Sequence, residues 1–337
     1  MDLRVLWFGL VAVLWTGYLV LEGFDFGVGM LLPAARDRAE RRVMINTVGP
    51  VFDANEVWLI TAVGATFAAF PDWYATLFSG FYLPMLLVLL ALIVRNVGFE
   101  FRHKRDDLTW QRRWEWAIVL GSAVPAALWG LVLSSLVGGV PVNAEGEVVG
   151  SVLTPYGLLG ALLTTSLFLT HGALFVGLKT VGDIRVRARR WALASGLLTV
   201  AVAAVFLAWT VLGQATSPWP AVPALLVLVG LVGGLVAARD GREGWAFAGT
   251  ALATAALVAT LFVTLFPRVM VSSLDPAWSL TVSGSSSTDY TLGIMTVAAI
   301  VVTPVVIGYQ CWTYWVFRKR LGTHHMPDAQ LVAAGRR

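Results

Sequence analysis

Apolar residues along this chain fall into nine long runs separated by short polar stretches, at about 6–32, 49–70, 76–95, 114–138, 154–178, 191–213, 221–238, 245–266 and 291–316. Most approach or exceed the roughly 20 residues a helix needs to cross a bilayer. The pattern predicts an all-α, polytopic membrane protein of nine transmembrane helices, one helical domain over 1–320 and a short tail over 321–337. The first run is too long for a signal-peptide core and lacks a small-residue cleavage site, so it is read as the first span. Two connections are longer than the rest, 139–153 and 267–290, the second rich in Ser and Thr.

Composition agrees. Hydrophobic residues make up 58% of the chain and charged residues 13%, with a mean hydropathy of +0.76. A soluble domain has roughly half apolar and about a quarter charged residues, so a single water-exposed globule is excluded. Cys311 is the only cysteine, which excludes an intrachain disulfide and a cysteine-held cluster.

The basic residues set an orientation. With the N-terminus outside and the C-terminus cytoplasmic, 22 of the 24 Lys and Arg residues fall on the inner side, and only Arg4 and Arg268 lie outside. That asymmetry follows the positive-inside rule and is sensitive to the number of spans. Trp73, Tyr74, Trp219, Trp245 and Trp278 are expected at the membrane interfaces, where amphipathic rings prefer to lie. The basic residues are thus accounted for by sidedness, and no nucleic acid partner is expected.

Four acids interrupt the first two spans. Glu22 and Asp25 sit three residues apart in Glu22-Gly23-Phe24-Asp25-Phe26-Gly27-Val28-Gly29, which puts both on one helix face. Gly23, Gly27 and Gly29 allow close helix approach. Asp53 and Glu56 repeat the spacing near the start of the second helix, after Pro50, with Asn46 or Thr47 as candidate caps. An ionisable group within a span costs roughly 2.5–3.5 kcal/mol on insertion scales, and such groups face protein or a wet cavity. Two readings are open: structural ion pairs with Arg36, Arg41, Arg42 or Arg95, or a cluster of crowded carboxyls that holds and passes protons.

Haem ligation needs axial side chains, typically His with His or Met. His171 is the one histidine inside a predicted span, and Met30, Met85 and Met295 read as packing residues. No haem, other cofactor or metal is expected on this chain. No phosphate-binding or dinucleotide-binding glycine motif is present.

These same segments carry a family likeness. The run Glu22 to Leu31 resembles the first-helix signature of subunit II of cytochrome bd quinol oxidases, and Gly49 to Leu59 the second-helix signature. Phe78 to Tyr82, Gly98 to Lys104, Gly121 to Pro125, Leu178 to Gly182 and Phe266 to Ser273 are further similar blocks, in family order along the whole chain. The resemblance implies nine helices in two four-helix bundles plus one extra. It implies a partner, subunit I, carrying haems b558, b595 and d, and a complex in the bacterial cell membrane that reduces O2 to water with quinol electrons and cytoplasmic protons. It leaves room for small accessory subunits and a structural quinone. Carried over residue by residue, it makes Asp53 and Asp25 proton-route acids, with Glu22 and Glu56 beside them, and puts Trp58 near O2 entry. Family members carry Gln at some positions equivalent to Glu56 and His171, which weakens a required role for either.

Apart from the resemblance, a transporter or channel would also carry carboxylates in its spans, and a purely structural membrane partner could carry them as ion pairs. The first two helices, with their acids, are expected to face the partner subunit.

Overall fold

The computed structural model describes residues 2–323. It contains α1 (Leu3–Leu31), α2 (Arg38–Val48), α3 (Phe52–Ala69), α4 (Pro71–Gly80), α5 (Tyr82–Phe101), α6 (Leu108–Gly138), α7 (Pro155–Lys179), α8 (Asp183–Trp209), α9 (Ala221–Arg239), α10 (Glu243–Leu265), β1 (Arg268–Met270), β2 (Leu280–Thr281) and α11 (Asp289–Val316). Among the described residues, eight helices are long and apolar enough to cross a bilayer. The chain is a multi-pass membrane protein.

Local chemistry starts these helices where they start. Asp2 caps α1 by accepting from the Arg4 amide at 2.9 Å. Thr154 caps α7 and Thr288 caps α11, accepting from Gly157 and Thr291 amides, which fills orphan donors of the first turn. Pro71 opens α4 at a first-turn position, where its missing N–H is not needed.

Three local expectations are corrected. The predicted helix 76–95 is two helices, α4 and α5, broken at Phe81, and α5 continues to Phe101. The basic helix α2 lies between the first two expected spans; its charges hide it from a hydropathy reading, yet it buries Ala39, Val43, Met44 and Val48. Asn46 and Thr47 therefore lie inside α2 and cap nothing, and α3 starts after Val51 without a side-chain cap. Trp73, in the first turn of α4, packs inward against Phe8, Phe70 and Phe262, while Trp219 and Trp245 are exposed.

Helix α1 is central. It packs on α7, α3, α6 and α10, while α7 with α8, α6 with α7, and α9 with α10 form the other main pairs. At the α1–α7 crossing the two backbones touch: a Cβ built on Gly27 would lie 1.9 Å from the Phe168 carbonyl oxygen, and one on Gly172 would lie 2.4 Å from the Gly27 carbonyl carbon. Helix α11 is the least buried span.

Helix ends sort into two faces. On one, the two long connections join: Val140 N–H donates to the Val271 carbonyl at 3.0 Å and Ser273 N–H to that of Val140 at 2.8 Å. The N-terminus lies there too, with Arg4 3.6 Å from Asp289. On the other, Glu243 is held by Arg185 and Arg189 at 2.8 Å, and the Leu321 amide donates to the Lys179 carbonyl at 2.8 Å. The start of the expected tail is therefore tied to the α7–α8 turn. His324 and His325 lie outside the described residues.

Candidate functional site

The sequence-predicted acids converge on one buried cation. Arg95, on α5, is fully buried and its Nη2 donates to Glu22 on α1 and to Oε1 of Glu56 on α3 at 2.6 Å. Asn96, next on α5, donates to the other Glu56 oxygen at 2.6 Å. The guanidinium also lies 4.8 Å from the centroid of the Phe26 ring and 5.8 Å from that of Phe99, a cation–π arrangement that softens its burial. The three helices are joined here by side chains: α1 packs on α3, and Arg95 and Asn96 reach across to them from α5, which itself packs on α6.

One turn along α1, Asp25 is also fully buried and accepts from Asn55 Nδ2 at 2.7 Å. The Asn55 carbonyl oxygen accepts in turn from Tyr314 OH at 2.9 Å and Gln310 Nε2 at 3.1 Å, both on α11. Glu22 Oε2, Asp25 Oδ1, Arg95 Nε and Nη1, and Asn96 Oδ1 are buried with no hydrogen-bond partner among the described residues. Buried polar atoms are nearly always partnered by protein or water, so these atoms line a place suited to ordered water.

Asp53 stands apart from this buried group. It lies on the exposed side of α3, one turn before Glu56 and on the same helix face. The four acids therefore do not share one outer face: Glu22 and Asp25 point into the chain, Glu56 is partly buried and Asp53 is at its surface. Trp58 lies across α1, its ring so near Gly17 that a Cβ there would be 2.3 Å from Trp58 Cε3. Gly23 and Gly29 serve other contacts: a Cβ at Gly23 would meet the Phe168 ring at 2.7 Å, and one at Gly29 the Ser122 hydroxyl at 2.0 Å.

Asn55, Asn96, Gln310 and Tyr314 were not singled out by the acid pattern. Their signal was a polar residue within an apolar span, the same signal that marked the acids. Arg95 was one of four candidate counter-ions; Arg36 and Arg41 instead meet Asp183 and Glu115. Glu115 is also held by Arg102 at 2.6 Å. Burial at the end of α5 pulls the Arg102 guanidinium below its ordinary range, with Glu115 acting in the opposite direction.

His171 does not fit an axial haem ligand. Its Nδ1 lies 2.7 Å from Thr250 Oγ1 and its Nε2 3.2 Å from the Val20 carbonyl oxygen. The tautomer that satisfies both has Nε2–H donating to Val20 and Nδ1 accepting from Thr250. Phe247 stacks on the ring with centroids 4.4 Å apart. Both nitrogens are engaged, and the face is covered. Among the described residues, no three His, Cys, Asp or Glu side chains are grouped to hold a metal ion.

This chain is similar to known proteins along its whole length. The sequence model of the family described as cytochrome bd terminal oxidase subunit II matches residues 3–317. The cytochrome bd ubiquinol oxidase subunit 2 of Bacillus subtilis is 45% identical, over 97% of this chain and 98% of that protein. The cytochrome bd-I ubiquinol oxidase subunit 2 of Escherichia coli is 36% identical, over 93% of each. In fold, the chain matches a solved bd oxidase structure from Geobacillus thermodenitrificans with a TM-score of 0.77 at 19% identity, covering 94% of this chain and 99% of that one. With the family profile spanning nearly every described residue, the chain belongs to the cytochrome bd terminal oxidase subunit II family.

Proposed function

We propose that this chain is the haem-free subunit II of a quinol-oxidising bd complex, and that its α1–α3–α5 cluster carries protons from the cytoplasm toward a haem-bearing subunit I. The observation that carries this is an order of acids from surface to interior: exposed Asp53, Glu56 one helical turn on, Glu22 sharing Arg95 with Glu56, and Asp25 one turn further along α1. One buried guanidinium stands among three carboxyls, a crowding of acid groups that suits the passage of a proton between them. The unpartnered oxygens of Glu22 and Asp25 supply acceptor sites for water between the acids. Reduction of O2 to water in the partner would consume the protons so delivered. The chain alone has no haem to receive electrons and is inactive by this account, which the engagement of both His171 nitrogens supports.

Nine spans, in two four-helix bundles plus one, with the N-terminus outside and the C-terminus cytoplasmic, suit this role. The ninth span is α3, whose acids keep it below the hydropathy of the other eight. Its far end supports a full crossing, because the Ala69 carbonyl accepts from Ser287 at 2.8 Å, in the connection on the N-terminal face. That orientation sets Asp53 toward the cytoplasm. The partner subunit meets α3 and the barely buried α11, while the acid-bearing turn of α1, residues 22–29, is covered by the chain's own helices. Trp58, between α3 and α1, borders the route for O2.

The test is Asp53→Asn in the purified complex, with haem quantified and O2 consumption measured per haem. Full haem with turnover reduced about tenfold, equivalent to roughly 1.4 kcal/mol on the limiting step, supports the relay. Loss of haem would instead make Asp53 an interface anchor.

A further inference from the structure

A large open cleft lies on the face opposite the N-terminus, where α1 ends and α6 begins. Its volume is about 1230 Å³, above the roughly 300–1,000 Å³ of typical small-ligand sites. Five arginines line it: Arg36, Arg38, Arg41, Arg112 and Arg113. The acids in its wall are already engaged. Asp37 caps α2 by accepting from the Glu40 amide at 2.9 Å, and Glu115 is held by Arg102 and Arg41. Arg38 donates to Gln111 at 2.6 Å. Arg112 and Arg113 are exposed and engage no acid, hydrogen-bond partner or ring among the described residues. The cleft therefore carries surplus positive charge with two guanidinium groups unclaimed.

Its other wall is apolar. Leu32, Pro33 and Val119 line it, and the Trp116 ring beside them is about half exposed at 49%. Both helices pass here from apolar span to charged connection, so the cleft straddles the boundary between acyl chains and headgroups. A free phosphate would use only the arginines. An amphiphile uses both walls: a phosphodiester accepts paired N–H bonds from guanidinium forks, while its acyl chains lie along Leu32, Val119 and Trp116. Basic pockets of this kind at the cytoplasmic side of membrane helices suit anionic lipid headgroups.

We infer that this cleft is a binding site for an anionic phospholipid, with Arg112 and Arg113 as the principal phosphate contacts. It is separate from the buried acid cluster and does not depend on the proton role proposed for it.

The experiment uses the purified complex of this chain with its partner subunit, stripped of lipid in detergent and observed by native mass spectrometry. Dioleoyl phosphatidylglycerol is titrated in, with dioleoyl phosphatidylcholine and inorganic phosphate as comparison probes. The expected result is a phosphatidylglycerol adduct on the wild type that needs about tenfold more lipid in the Arg112→Gln/Arg113→Gln variant, equal to about 1.4 kcal/mol for the lost contacts. Haem content should not change, since neither arginine holds another residue. Phosphatidylcholine, whose choline cancels the phosphate charge, should bind the wild type more weakly than phosphatidylglycerol does, and equal binding of the two lipids overturns the anionic assignment. A second variant, Arg318→Gln/Lys319→Gln, removes two charges elsewhere on the same face and should retain the adduct. Equal phosphatidylglycerol binding by wild type and Arg112→Gln/Arg113→Gln overturns the site. Equal loss in the Arg318→Gln/Lys319→Gln variant overturns it too, by making the effect one of general charge. Displacement of the lipid by equimolar inorganic phosphate would make it a free-anion site and overturn the lipid assignment.

Discussion

Asn55 donates to Asp25 across 2.7 Å and, through its own carbonyl oxygen, accepts from Tyr314 at 2.9 Å. One amide thereby ties α1, α3 and α11 together at the depth of the buried acids. Among the described residues the Asp25 side chain has no other hydrogen-bond partner, and its Oδ1 has none. Replacing Asn55 by Leu keeps the volume but strips buried Asp25 of its partner and removes the oxygen that Tyr314 and Gln310 donate to. A buried polar group left unsatisfied costs about 1–3 kcal/mol. The complex carrying Asn55→Leu should lose thermal stability by that order, read as a lower melting temperature by haem absorbance. A melting curve unchanged from wild type would mean that Asp25 finds another partner.

Arg95 is the common cation of the cluster, and its removal should be the most damaging single change. Breaking a buried ion pair from one side costs about 3–5 kcal/mol, because the opposing charge stays buried. Arg95→Met should abolish recovery of assembled complex, whereas Glu56→Gln, whose carboxyl is partly exposed and keeps an amide partner in Asn96, should assemble normally. Membrane yields quantified by haem spectrum after affinity purification would decide it. Equal yields for both variants would deny Arg95 its central place.

Close backbone contact at the α1–α7 crossing makes a sharp steric prediction. Gly27→Ala sets a methyl group against the Phe168 carbonyl, where the built Cβ lies at 1.9 Å. Gly9→Ala, in the same helix, meets nothing within 4 Å. Overpacking costs typically about 1–3 kcal/mol, so Gly27→Ala should lower the melting temperature of the complex while Gly9→Ala leaves it unchanged. Matching behaviour of the two variants would argue against this crossing.

His171→Gln should leave the haem spectrum of the complex unaltered, because the imidazole is occupied by Thr250, Val20 and Phe247. The expected loss is one side-chain hydrogen bond's stability, about 1 kcal/mol. A missing haem band would assign this histidine a role that its surroundings do not suggest.

How much of this was legible in the sequence depended on whether the signal was local. Glu22 and Asp25, three residues apart in an apolar run, were readable at once, as were Asp53 and Glu56. Which cation they meet was not. Arg95 is 73 positions from Glu22, and only the tertiary placement of α5, which packs on α6 and reaches Glu22 and Glu56 through the long Arg95 side chain, selects it over Arg36 and Arg41. Hydropathy located the apolar spans but passed over α2, whose arginines hide its apolar stripe, and merged α4 with α5, because Phe81 interrupts the helix without interrupting the hydrophobicity. Spacing places each pair of acids on one face of its own helix, and their cost in lipid led to the expectation that both helices face the partner subunit. The rotation of α1 in its bundle instead turns Glu22 and Asp25 inward, and helix rotation is a tertiary property that spacing alone does not fix.

If Asp53 admits protons to the buried carboxyls, proton uptake is the most direct measure of its role. The fully reduced complex, in weakly buffered solution with a pH indicator, is mixed with O2, and proton uptake is followed alongside haem oxidation. With Asp53→Asn, uptake from the cytoplasmic side should slow about tenfold, roughly 1.4 kcal/mol on that step, while haem content and the initial binding of O2 stay as in the wild type. Proton uptake at the wild-type rate in a fully haem-loaded Asp53→Asn complex would contradict the account.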